Sequence, residues 1–248
     1  MTAQISHPHN STADQTDNLR PQLIVGSLFA GQLNSGVNAA WILLFLATNP
    51  TWFSQTRTEV LTAANKHSPS TVDLPLRDRL PHIPLEAWES EFPLLDLCLK
   101  ESIRLVSHGN GFRRNTTAHP IPLDAEAKEI VPPGAFVTFA TGTVHMNPDI
   151  YPNPHVWDPA RYFPERAEDK KRQYAWMGWG HARHPCLGMK FAKLENTVIC
   201  AFWLAFFDFE LVDAEGRATE RLPPRNSNEY AAEKPGEKCW LRYRLREE

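Results

Sequence analysis

The stretch Trp179-Gly180-His181-Ala182-Arg183-His184-Pro185-Cys186-Leu187-Gly188 presents a cysteine on a short basic loop, at the point where a helical pattern begins. A thiol there meets helix amide groups that lack intrahelical partners and the positive end of the helix dipole, both of which favour thiolate. Such a sulfur suits a metal ligand or a nucleophile. Spacing by itself leaves two other readings open. One is a buried, inert cysteine; the other is a zinc site using His181, His184 and Cys186, for which no fourth ligand stands nearby.

Working outward, apolar periodicity carries the helix after Cys186 to about Phe207, with terminal strands at Phe209–Val212 and Trp240–Leu245. Upstream, the nine prolines between Thr116 and Pro164 predict strand and meander rather than helix. Within that region Ala135–Ala140 reads as a strand entered from the Pro132-Pro133-Gly134 turn. A firm helix is predicted over Pro93–Val106, and a short one opens near Pro84–Ala87. The segment 67–84 reads as a polar loop. A first helix runs from about Leu23 to Ala47 and stops at Asn49-Pro50, because a residue before proline is driven out of the α region; a second follows that proline. The fold class is α+β, mainly helical, with small β-sheets. The domain reading is a disordered polar tail over 1–20 and one domain over 21–248.

Two helices carry features that need explaining. Ser27, Gly31, Asn34 and Asn38 fall at steps of four, three and four, so they form a small, polar stripe along an otherwise apolar helix. Such a stripe faces either a closely packed helix or a cavity, and buried amides need partners. Glu101 and Arg104 are neighbours at i and i+3, a pair that in isolation reads as a solvated surface contact.

Composition excludes several classes. The net charge of −3, from 26 basic and 29 acidic side chains, gives no electrostatic footprint for nucleic acid. Cys98, Cys186, Cys200 and Cys239 are widely separated with no CxxC pair, which argues against a disulfide framework. The long apolar run in the first helix is interrupted by Gln32, Asn34 and Asn38, so it reads as a buried helix of a soluble domain rather than a membrane span.

Taken in order, the glycine-bearing long helix, Glu101-Ser102-Ile103-Arg104, Trp157-Asp158-Pro159-Ala160-Arg161-Tyr162-Phe163 and the Cys186 loop resemble the haem-thiolate cytochrome P-450 superfamily. The resemblance spans about Leu23 to Arg246 and corresponds to the C-terminal half of a family member, so 21–248 is expected to be a partial cytochrome P-450 domain. It implies haem (heme, iron protoporphyrin IX) as cofactor and Cys186 as its axial metal ligand. Trp179, Gly180, Arg183, His184 and Gly188 would be cofactor-binding, with Arg113 or Arg114 taking a propionate. Glu101, Arg104 and Arg161 would form a structural triad behind the loop.

The resemblance further implies catalytic positions at Gly31, Asn34 and Ser35. Most relatives carry an acid followed by threonine in the long helix, a proton-relaying pair; here Leu33 and Asn34 stand there, with Ser35 as the nearest hydroxyl. Ala30-Gly31-Gln32 looks like the sterol demethylase branch, whereas Asn34 is similar to the cholesterol 7α-hydroxylase and prostacyclin synthase branch. Ala182 replaces a glycine expected in the loop. The implied activity is a monooxygenase acting on an apolar or steroid-like small molecule, with electrons from a flavoprotein NADPH reductase docking near Lys170, Lys171, Arg172, Arg183, Lys190 and Lys193. Alternatives are a haem-thiolate peroxide isomerase or dehydratase, and a truncated non-catalytic fragment. Full-length relatives typically sit on the endoplasmic reticulum membrane through upstream segments.

Overall fold

A computed structural model describes residues 12–69, 74–229 and 232–246, with side chains from residue 21 onward. Its central element is α1 (Thr12–Ala47), whose last turns carry Trp41, Ile42 and Leu46 into the core. Asn49 then caps α2 (Pro50–His67), its side chain accepting the Trp52 amide at 3.2 Å, with Pro50 in the first turn where a missing N–H costs nothing. Short α3 (Leu76–Arg79) and α4 (Leu85–Ser90) lead to α5 (Pro93–Val106). Next come β1 (Asn110–Arg114), β2 (Ile121–Pro122), β3 (Ile130–Val131), β4 (Phe136–Ala140) and α6 (Thr141–His145). A long meander precedes α7 (Met189–Phe206), β5 (Phe207–Val212) and β6 (Trp240–Leu245).

The strands form three antiparallel pairs, β1 with β4, β2 with β3 and β5 with β6. The core lies where α1 packs on α5 and α7, through Trp41, Leu46, Val60, Leu99, Ile103 and Leu204. α5 has no cap from its own sequence, since Phe92 offers no side-chain acceptor. Its first amides are taken instead by Glu59 of α2, whose two carboxylate oxygens accept from Leu94 (2.6 Å) and Leu95 (3.0 Å).

Four expectations change. α1 begins at Thr12, so residues 12–20 are helical rather than tail. The remaining expected tail, 1–11, lies outside the described residues. The expected loop at 67–84 contains α3 and a 3-10 turn over Leu80–His82, because Leu76 and Leu80 share a face and both bury. The proline-rich meander holds α6 and a 3-10 turn over Pro159–Tyr162. Finally, α1 is buried only in its second half: Leu23, Leu28 and Phe29 are 71%, 68% and 58% exposed. Its Pro21–Ala47 stretch is long and apolar enough, by length and composition, to cross a membrane.

Candidate functional site

On α5 both faces bury from Cys98 onward, so Glu101 and Arg104 are fully enclosed rather than a solvated surface pair. Arg104 grips Glu101 bidentately, Nε to Oε2 at 2.8 Å and Nη2 to Oε1 at 2.7 Å, and sends Nη1 to the His145 carbonyl at 2.7 Å. Arg161 arrives on the 3-10 turn, which Asp158 caps by accepting the Ala160 amide. All five of its N–H donors are used: Nε on Glu101, Nη1 on Glu168 (2.9 Å) and the Pro152 carbonyl, Nη2 on the Asn153 and Val156 carbonyls. Tyr162 Oη (2.8 Å) and the Asp158 amide (3.1 Å) complete the donors around Glu101.

Burial alone would lower the Arg104 guanidinium; the paired Glu101 carboxylate outweighs it and the net displacement is upward. Burial, with the Glu101 charge adding, pushes the Tyr162 phenol well above its ordinary range. Arg104, Arg161, Glu101 and Glu168 thus form a buried, charge-balanced cluster, the arrangement in which interior ions are tolerated.

The Cys186 loop is a tight backbone coil just ahead of α7. The Cys186 amide donates to the Trp179 carbonyl at 2.6 Å, and the Met189 amide donates to the Cys186 carbonyl at 3.4 Å. Gly180 sits at φ +73°, where a Cβ would stand 2.7 Å from the His184 carbonyl oxygen, so the turn has no room for a side chain. Ala182 is also left-handed at φ +56°, which explains why glycine is the expected residue there. Cys186 is exposed, whereas Cys98 and Cys200 are buried; burial raises both of those thiols, Cys200 to about 12.

This loop and the α1 stripe line one cavity of about 2070 Å³: Ser27, Gly31, Asn34 and Asn38 all border it, with Ser35 beside them. A Cβ at Gly31 would meet nothing within 4 Å, so the helix backbone is open to the cavity. Asn34 Oδ1 accepts the Ala232 amide at 3.0 Å, which orients the amide group, and Asn38 Nδ2 donates to the Asn34 carbonyl at 2.9 Å. Asn38 Oδ1 is buried with no partner.

Trp179, Gly180, His184, Cys186 and Gly188 all line the cavity, with Trp179 half-buried against the core. Arg113 lines it too. Arg114, next on the same strand, points to the other face, where it donates to the Gly134 carbonyl and lies 5.7 Å from the Phe136 ring centre. Arg114 is therefore removed as a wall residue. Arg183 is exposed and does not line the cavity. Glu168, Tyr162 and His145 were missed as members of the ion cluster. Tyr162 lies within the Trp157–Phe163 motif, while Glu168 and His145 carry no local signal. Among the described residues, no three His, Cys, Asp or Glu side chains gather as a metal-holding group.

The comparisons with known proteins agree with this geometry. The chain is 39% identical over 193 residues to cytochrome P450 monooxygenase AacuE of Aspergillus aculeatus, covering 78% of this chain and 38% of that protein. It is 35% identical over 198 residues to cytochrome P450 monooxygenase nsrP of Aspergillus novofumigatus, covering 80% and 38%, and 30% identical over 192 residues to an obtusifoliol 14-alpha demethylase of Sorghum bicolor, covering 77% and 36%. The chain thus spans well under half the length of these relatives. Its fold superposes on a cytochrome P450 crystal structure with a TM-score of 0.68 at 21% identity, over 90% of this chain and 44% of the other. The cytochrome P450 family model matches residues 8–227, and the chain belongs to that family, whose cofactor is haem.

Proposed function

We propose that this chain forms the haem-thiolate half of a monooxygenase that oxidises a small apolar molecule, steroid-like in bulk, with dioxygen and electrons from a flavoprotein reductase. The observation that carries the reading is the exposed Cys186 lining the same large cavity as a helix stripe that is small and polar. The residues present fit the group: one soft sulfur donor leads into an 18-residue helix, Gly31 leaves the α1 wall open to a flat ligand, and Arg113 and His184 stand on the wall as partners for carboxylates. Haem ligated through a thiolate supplies oxygen activation, the sulfur favouring O–O cleavage.

The chain's own residues do the rest. Cys186 would hold the group through its sulfur, with the Trp179 carbonyl fixing the cysteine's backbone. The buried ion cluster holds α5 and the meander together beneath the loop, so that the sulfur keeps one position. Asn34 donates rather than relays, because its carbonyl end is taken by Ala232. That last point favours a second reading, a peroxide isomerase or dehydratase, which needs no proton relay and no reductase.

Cys186→Ser is the test of the leading assignment. It should abolish the red-shifted absorption of the reduced carbon-monoxide complex, whereas serine at Cys98, Cys200 or Cys239 should keep it. An unchanged band in Cys186→Ser removes the cysteine from the role. Turnover of a lipid endoperoxide without reductase, with no oxygen consumed under reducing conditions, selects the second reading.

A further inference from the structure

Between the ion cluster and the Cys186 loop stands a residue that touches both. His145, fully buried at the end of α6, gives its backbone carbonyl to Arg104 Nη1 at 2.7 Å and its ring Nε2 to the Met177 amide at 2.9 Å. A backbone N–H only donates, so Nε2 is the unprotonated nitrogen and the proton of the neutral ring sits on Nδ1. Nδ1 is itself buried without a hydrogen-bond partner. Leucine or methionine would remove the unpaired Nδ1 but also the acceptor of the Met177 amide, so the ring leaves one buried atom unsatisfied while satisfying another.

We propose that His145 is a positioning residue that ties the Glu101–Arg104–Arg161 cluster to the entry of the Cys186 loop, by accepting the Met177 amide. The loop entry is seated around this bond. Trp176 Nε1 donates to the Lys100 carbonyl at 3.3 Å, and a Cβ on Gly178 would stand 2.4 Å from Ile103 Cγ2, so its backbone lies directly on α5. Met177 also lines the cavity. A displacement of the Met177 amide is therefore passed to the cavity wall and, through Trp179, to the Cys186 amide. Burial first, then the charges of His108 and Arg104, pull the imidazole down to about 3, which favours the neutral ring that the Met177 contact requires. The functional consequence rests on the haem-thiolate reading, whereas the contact itself is measured without haem.

The experiment is amide hydrogen exchange at Met177 in the 248-residue chain. His145→Leu strands the amide and should raise its exchange about 10- to 100-fold, the range expected for one buried hydrogen bond. His145→Gln sets an acceptor oxygen near the former Nε2 position and should stay within about threefold of wild type. Wild-type exchange in the leucine variant, or equal acceleration in the glutamine variant, overturns the proposal. Should the leucine variant fail to fold, the nitrogen chemical shifts of His145 in wild type decide: a proton on Nδ1 is expected, and a proton on Nε2 overturns the assignment. After haem addition, His145→Gln should restore the thiolate carbon-monoxide band that His145→Leu weakens. A band that survives Cys186→Ser would instead sink the haem-ligand reading and leave the Met177 exchange result standing.

Discussion

Glu101→Gln removes one charge and keeps the shape, which makes it the sharpest probe of the buried cluster. Five donors converge on the two carboxylate oxygens: two from Arg104, one each from Arg161 and Tyr162, and the Asp158 amide. Glutamine keeps one oxygen and turns the other into an NH2 that faces donors. It also leaves Arg104 and Arg161 with Glu168 as their buried counter-charge, so the enclosed set passes from neutral to +1. Breaking a buried pair by removing one partner costs about 3–5 kcal/mol. A domain of this kind has about 5–15 kcal/mol in all, so the loss is a large share of the total. The assay is chemical denaturation at neutral pH. Glu210→Gln serves as control, because the Arg242–Glu210 pair is about half exposed on both sides and a surface pair of that kind is worth under about 1 kcal/mol. The variant should lose several kcal/mol and fail to take up added haem. A Glu101→Gln midpoint within about 0.5 kcal/mol of wild type, like that of the control, would refute the view that the cluster holds the fold behind the loop.

Three further outcomes follow from single contacts. Burial pushes the Glu59 carboxyl up to about 7 from an ordinary value of 4.5, so the folded chain binds that proton more tightly than the unfolded chain. The stability this adds is complete below pH 4.5 and lost as pH climbs through about 7; it amounts to about 3 kcal/mol at most. Glu59→Gln should flatten that decline, and denaturation midpoints at pH 5 and pH 8 that shift equally in both proteins would contradict it. Ala182→Gly should stabilise the chain by about 0.5–1 kcal/mol by relieving a left-handed alanine, read from the denaturation midpoint; a loss of stability speaks against the loop geometry. In haem titrations Arg113→Ala should weaken binding about tenfold or more, as expected for a lost charge-assisted bond, while Arg114→Ala should leave it within about threefold; the reverse order would exchange their places on β1.

Much of the site was legible because its parts are local. Pro93 opening an apolar run marks α5, and the Cys186 loop announces itself by a cysteine set at a helix start. Period and residue size mark the small stripe of α1 as facing either a packed helix or a cavity, and it lines the cavity. What was not legible lies across space. Arg113 and Arg114 are identical side chains on adjacent strand positions, so nothing in the residues says which face is inward until β1 pairs with β4. Glu168 joins Arg161 through a turn in the meander, and Glu59 reaches α5 from another helix. The exposed first half of α1 is the converse case: its apolar residues read as buried, but among the described residues too little packs on them.

The cap that Glu59 lends to α5 also bears on the order in which the chain matures. A helix of 14 residues with no cap from its own sequence is marginal alone, so a peptide spanning Pro93–Val106 should show little helix by circular dichroism. Docking of α2 then becomes a precondition for α5, and α5 for the pairing of Glu101 with Arg104 on its own helix and Arg161 in the proline-rich meander. Synthesis delivers α2 first, so the acceptor waits for the helix it starts. The charged cluster closes only when Arg161 and Glu168 arrive, which makes its assembly a late, cooperative step and a report that the three segments have met.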